Sequence, residues 1–225
     1  MDTHIDPEHT TAELQPPQSI LTSRRLLVRP MRPQDSHSLA QYANNPRVSK
    51  YMSLSFPSPY TLVAAEDWIS MNLKRPEQDN FVICEKSSPE IVIGGIGLKP
   101  GADVKAHTAE VGFWIGEPFW GQGLTTEALE AFTNWVFLQR HVKGTQTTRL
   151  CGDVFSGNFA SMRCFEKCGY VSEGVLKGHC EKDGKVHDLH QYGILKKDWT
   201  KRLQNLQRLL ISNASNDLTA VEVWP

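Results

Sequence analysis

The amino-acid sequence predicts an α/β protein of the α+β type, with a single mixed, mostly antiparallel sheet flanked by helices. Three observations carry this. Runs rich in Val and Ile alternate with helical periodicities in the order β-α-α-β-β-β-α-β-α-β-β. Two pairs of strand-like runs are joined by short turn segments, as hairpins are. A chain of 225 residues with 40% hydrophobic content can bury one core without disulfides or metal.

The elements follow in order. Residues 25–29 (RLLVR) form a short strand that stops at Pro30. Residues 34–45 have helical spacing with Leu39, Tyr42 and Ala43 apolar, and end at Asn44-Asn45-Pro46. Pro57 and Pro59 mark a loop. A helix over 61–73 carries Leu62, Ala65, Ile69 and Leu73 on one stripe. Strands are predicted over 80–86 and 91–98, with Pro89-Glu90 in their connection, and over 108–115. The helix over 123–138 is amphipathic through Leu124, Ala128, Phe132, Trp135 and Val136. A strand over 148–154 leads to a helix over 159–167 that ends at Cys168-Gly169, glycine serving as cap. Strands over 171–180 and 186–195 are joined through Lys182-Asp183-Gly184. A surface helix over 198–210 and a loosely ordered tail to Pro225 complete the chain. The expected organisation is a disordered leader over 1–20, one domain over 21–200, and a C-terminal helix and tail over 201–225.

Composition excludes several classes. Net charge is −1, which gives nucleic acid or an anionic membrane no electrostatic purchase. No apolar run approaches the ~20 residues needed to cross a bilayer. The first twenty residues are polar and lack a signal-peptide pattern. The five cysteines, Cys84, Cys151, Cys164, Cys168 and Cys180, are odd in number and contain no CxxC pair. Reduced thiols in a cytoplasmic protein are expected. His187 and His190, three apart on a strand, point to opposite faces, so no metal site is expected.

One segment carries chemistry: Glu117-Pro118-Phe119-Trp120-Gly121-Gln122-Gly123-Leu124-Thr125-Thr126-Glu127-Ala128-Leu129 joins a strand to the amphipathic helix. Glycine lets backbone turn tightly and approach a ligand. A helix N-terminus adds unpaired N–H groups and the positive end of a dipole, which together suit phosphate. Thr125 and Thr126 add hydroxyls, and no capping box consumes the first-turn donors, because Leu129 stands three residues after Thr126. The segment is neither a P-loop nor a dinucleotide GxGxxG.

This segment resembles the coenzyme A pyrophosphate loop of the GCN5-related N-acetyltransferase superfamily, and most closely its RimJ/RimL-like branch. Gly123 matches the superfamily pattern, while Trp120 and Thr125 depart from it. Three more segments are similar in the same order: residues 21–30 (LTSRRLLVRP); Asn45-Pro46-Arg47-Val48 with Pro59-Tyr60-Thr61; and residues 158–170 (NFASMRCFEKCGY). The resemblance covers roughly residues 22–200. It implies the acyl-CoA N-acyltransferase fold, acetyl-CoA as co-substrate, a primary amine as acceptor, and a monomer or homodimer.

The resemblance also implies roles. Glu110, which shares a strand face with Gly112 and Trp114, is the candidate general base, directly or through water; its alternative is a surface carboxylate near a sheet end. Backbone N–H groups of Phe113, Trp114 and Ile115 would hold the acetyl carbonyl and the pantetheine arm. Trp120, Gly121, Gln122, Gly123, Leu124, Thr125 and Thr126 form the coenzyme loop. Asn158 either caps its helix or contacts the coenzyme arm. The superfamily's acid tyrosine is here Phe165, so Ser161, one turn earlier, takes the acid role. Arg163, with Lys167 four residues on, meets coenzyme phosphates or is solvated. Asp188, His190 and Tyr192 share one face of the last strand and would border the acceptor, or decorate the sheet surface. A free α-amine titrates near 8 and a lysine near 10.4, so a single weak base favours a peptide N-terminus or small primary amine. A non-catalytic acyl-CoA sensor, or a transferase of another acyl group, would share these motifs.

Overall fold

The computed structural model describes residues 18–142 and 144–219. Ten strands and six α-helices occur among them: β1 (Leu21–Thr22), β2 (Leu26–Arg29), α1 (Ser36–Ala43), α2 (Pro46–Ser49), α3 (Leu62–Leu73), β3 (Asn80–Glu85), β4 (Ser88–Pro100), β5 (Thr108–Ile115), α4 (Leu124–Leu138), β6 (His141–Val142), β7 (Thr145–Gln146), β8 (Arg149–Phe155), α5 (Phe159–Lys167), β9 (Val171–Lys182), β10 (Lys185–Leu195) and α6 (Lys196–Thr219). Eight strands form one sheet in the order β1-β2-β3-β4-β5-β8-β10-β9; β6 and β7 form a separate small pair. Every ladder of the large sheet is antiparallel except β5–β8. This is the expected mixed, mostly antiparallel sheet.

Strand alternation builds two cores. Leu26, Val28, Ile83, Ile93, Val111 and Ile115 face α4 and α5, meeting Leu124, Phe132, Val136 and Phe165. Leu27, Val82, Cys84 and Val92 face the other way, onto Leu39 of α1 and Ala65 and Ile69 of α3. Trp199 of α6 is buried in the first core, and its indole N–H reaches Asn134 Oδ1 at 3.4 Å. A buried ion pair ties the start of the α1 segment to β2: Arg29 Nη1 and Nη2 each lie 2.8 Å from a carboxylate oxygen of Asp35. Both side chains are 1% exposed, so each charge depends on the other.

Several boundaries differ from the expectation. The single helix over 34–45 is a 3-10 turn (Pro33–Asp35), then α1, then the separate α2. Pro46 disfavours helix at Asn45, whose side chain instead caps α2 by accepting from Arg47 N at 2.8 Å. Pro89 and Glu90 lie within β4 and not in the turn, which Lys86 and Ser87 make. Register shifts at Cys84 and Glu85 accommodate the proline there. On α3 the buried stripe is Ala65, Ile69 and Asn72, while Leu62 and Leu73, the helix's end residues, are exposed. The last helix extends to Thr219, through residues expected to be tail. Residues 1–17 of the expected leader and 220–225 of the tail lie outside the described residues. Ile20 already donates to Val28 O at 2.9 Å.

Candidate active site

The site begins where the sheet splits. β5 pairs with β8 only at Thr108–Arg149, Ala109–Leu150 and Glu110–Cys151. Beyond Glu110 the parallel ladder ends. Gly116 N donates to Ile93 O on β4, which fixes the alternation along β5. Residues 110, 112 and 114 turn their polar backbone toward β4, and Val111, Phe113 and Ile115 turn theirs toward the gap. The gap thus presents main-chain groups that a sheet would otherwise consume, although Ile115 O is taken by the Trp120 indole N–H.

A cleft of about 1110 Å³ runs through this gap. On its loop side stand Trp120, Gly121, Gly123, Leu124, Thr125 and Thr126. Gly121 and Gly123 have φ of +73° and +75°, a region that glycine enters without strain. A Cβ on Gly121 would meet nothing within 4 Å, and one on Gly123 only Arg25 Nη2 at 3.9 Å. The backbone here borders open space, at the start of a 15-residue helix with no side-chain cap. Such a cradle fits a pyrophosphate. Gln122 does not line the cleft; its amide nitrogen turns back to Pro118 O at 3.1 Å.

The loop is braced from outside. Glu127, in the first turn of α4, accepts from Ser23 Oγ, Arg25 N and Arg25 Nε, each at 2.7 Å. Arg25 Nη1 also donates to Gln122 O at 3.1 Å. Burial opposes ionisation of Glu127, but the Arg25 and Ser23 hydrogen bonds and the Arg25 charge outweigh it, holding the carboxyl below its ordinary range. Trp120 adds a second brace: its indole N–H donates to Ile115 O at 2.7 Å, and Arg47 lies over the ring, 5.1 Å from its centroid. Arg47 and Asn45 both bond Glu117.

Glu110 lines the same cleft and pairs with Lys99 Nζ at 3.0 Å. Gly112 stands next on that face, and a Cβ there would meet nothing within 4 Å. Trp114 follows; a Cβ on Gly95 would lie 2.6 Å from its Nε1, so the glycine lets the indole lie across β4. Phe56 packs on Trp114 and on Tyr60, with centroids 5.9 and 4.9 Å apart. Trp68, Asp67 and Met71 of α3 complete this aromatic wall. Asp153 of β8 faces the cleft too, held by Gln191 Nε2 at 3.4 Å. Desolvation, and then the negative charge of Glu110, push its carboxyl above the ordinary value.

On α5, Asn158 caps the helix, its Oδ1 accepting from Ser161 N at 3.3 Å. Asn158, Ser161, Arg163, Cys164, Phe165 and Lys167 all border the cleft. Phe165 is 2% exposed and stacks on Tyr192, with centroids 5.5 Å apart and an 11° angle between planes. A Cβ on Gly152 would fall 2.2 Å from its ring, so the glycine makes room for it.

The acceptor-side residues expected on the last strand do not line the cleft. Asp188, His190 and Tyr192 share a face, which turns to the α5 side of the sheet, where Tyr192 stacks on Phe165. Tyr192 is 3% exposed, with its hydroxyl on Glu166; His190 Nε2 lies 2.9 Å from Ser156 Oγ; Asp188 holds Lys177 Nζ and Gly178 N, each at 2.9 Å. The face of β10 that reaches the cleft carries Leu189 and Gln191. Sequence reasoning also missed Asp153 and Phe56. The alternation Cys151, Asp153, Phe155 along β8 was the available signal for the first; Phe56 lies in a loop with no periodicity to place it.

Backbone donors in a split sheet, a glycine cradle at a helix start and a carboxylate across the gap thus meet in one cleft, an arrangement suited to a transferase whose donor carries phosphate. Residues 25–171 match the acetyltransferase (GNAT) domain family. The chain is 30% identical over 183 residues to p20 of Bacillus licheniformis, described as an uncharacterized N-acetyltransferase, covering 80% of this chain and 97% of that one. Its fold is similar to a GNAT-family acetyltransferase from Bacillus anthracis, with TM-score 0.68 at 22% identity, covering 79% of this chain and 98% of that one. It is also similar to RimL, a ribosomal L7/L12 α-N-protein acetyltransferase solved with coenzyme A, with TM-score 0.65 at 18% identity and coverage of 79% and 98%. This chain belongs to the GNAT family and is an acetyl-CoA-dependent N-acetyltransferase. Among the described residues, no helix is long and apolar enough to cross a membrane, and no three His, Cys, Asp or Glu are placed to hold a metal.

Proposed function

We propose that the protein acetylates a primary amine, a peptide N-terminus or a small amine, by direct attack of the amine on the thioester. The observation that carries this is the cleft in which the 121–126 loop, the open edge of β5 and Glu110 meet. The loop would hold the pyrophosphate through first-turn N–H groups of α4. Main-chain N–H groups of Phe113 and Ile115 would receive the negative charge developing on the carbonyl oxygen. Glu110 would take the amine's proton, directly or through water, and Ser161 would return one to the leaving sulfur. Arg163 would meet coenzyme phosphates. Holding both substrates in one cleft supplies much of the rate.

The acceptor would enter between Phe56, Trp68 and Trp114, whose faces suit a cation or an apolar side chain. The likeness to RimL supports a peptide N-terminus. A domain over 21–200, acting as monomer or homodimer in the cytoplasm, fits this reading.

A second reading, an acyl-CoA sensor without turnover, is favoured by one observation: Phe165, at the superfamily's tyrosine position, has no proton to give. Titration with acetyl-CoA by calorimetry, followed by thiol release with a free-N-terminus peptide and with a diamine, separates the two. Binding with thiol release supports the enzyme. Binding without release to either class of amine supports the sensor. Failure of a folded protein to bind removes both.

A further inference from the structure

Among the described residues, Lys99 is the cleft-lining lysine placed against Glu110. It stands directly opposite Glu110 in the β4–β5 register. Its Nζ lies 3.0 Å from Glu110 Oε1. Lys99, Glu110, Gly112 and Asp153 all border the cleft, and the space over Gly112 is open. The Lys99 side chain is 76% exposed, so little packing holds it in place. Exposed ion pairs break and re-form readily. A primary amine is therefore tethered to the carboxylate that the proposed function assigns as proton acceptor, beside the gap where the acetyl group would lie.

We propose that the protein acetylates its own Lys99, within one chain, when acetyl-CoA is bound. This rests on the proposed function, namely on the acetyl-CoA loop and on Glu110 as base. Glu110 takes one proton from the Lys99 ammonium and passes it to solvent. The amine nitrogen then bonds to the acetyl carbonyl carbon and the carbon–sulfur bond breaks. The electron pair leaves with the coenzyme sulfur, which takes the second proton. The products are Nζ-acetyl-Lys99, the free thiol and one proton. No other reactant is needed. A lysine amine is harder to neutralise than an α-amine, so this is a slow side reaction. Tethering compensates in part, because the amine's local concentration is fixed by the strand.

The test incubates the whole protein with acetyl-CoA and follows site occupancy by peptide mass mapping. Lys74, Lys105 and Lys185 are exposed and serve as references for uncatalysed acetylation. Lys167 lines the same cleft on α5 and serves as the reference for mere proximity. Lys99 is expected to be acetylated at least about tenfold faster than all four, with a rate unchanged on roughly hundredfold dilution of the protein. Glu110→Gln should slow it by about tenfold or more while calorimetric affinity for acetyl-CoA is kept. Lys99→Arg should remove the modification. If Lys99 reacts no faster than the reference lysines in protein that binds acetyl-CoA, this inference falls and the acetyltransferase reading stands. A rate proportional to protein concentration means transfer between molecules and also overturns it. Absence of acetyl-CoA binding would bring down both readings.

Discussion

Gly123→Ala isolates the phosphate cradle from the fold that carries it. Gly123 has φ +75°, and an added Cβ would meet only Arg25 Nη2 at 3.9 Å. The substitution therefore costs backbone strain and almost no packing. Placing an alanine in the left-handed region costs about 1–2 kcal/mol. In a domain of this size, each kcal/mol lowers the melting temperature by about 2–4 °C, so a fall of about 2–8 °C is expected. Gly184, in the β9–β10 turn, has φ +71°, and a Cβ added there would meet nothing within 4 Å. Gly184→Ala should thus destabilise to the same degree, at a residue that does not line the cleft. The two variants must part in acetyl-CoA affinity. A hydrogen bond to a charged group contributes about 1.5–3 kcal/mol, so losing one at the loop weakens binding by about 10–100-fold. Calorimetric titration of both variants, beside scanning calorimetry, reads each effect separately. A bulkier residue at Gly123 should abolish binding. Wild-type affinity in Gly123→Ala, with the expected fall in melting temperature, would refute the cradle assignment.

Three further outcomes are expected. Glu110→Gln should lower kcat/KM for the amine by about 10²–10⁴-fold with acetyl-CoA affinity little changed, as removal of a general base does; steady-state thiol release checks it. Asp35→Ala should leave the buried Arg29 guanidinium without its countercharge, with only the Pro30 and Pro89 carbonyls as acceptors, and cost about 3–5 kcal/mol, measured by urea unfolding. The Glu127 carboxyl is held below its ordinary range in the folded state, so its contribution is present above the unfolded value near 4.3 and is lost as pH falls through the lower folded value. Stability measured down through that acid window should fall in the wild type, and Glu127→Gln should flatten part of that slope.

The sequence by itself determined what is local. The strand 108–115 and the helix 159–167 have the bounds their patterns predict, because alternation and helical stripes are set by near neighbours. The two glycines before α4 and the absence of a capping box marked a candidate anion cradle without reference to the rest of the chain. Tertiary structure decided what depends on which layer covers which face. Alternation grouped Asp188, His190 and Tyr192 on one face of β10, but only the packing of Phe165 on Tyr192 shows that this face turns to the α5 side of the sheet. The cleft exists because the β5–β8 ladder stops at Glu110 and Cys151, residues far apart in the chain, and no local pattern records where a non-local ladder ends. The same separation hid Asp153, whose meaning depends on Glu110 across that split, and Lys99, whose partner is set by the β4–β5 register.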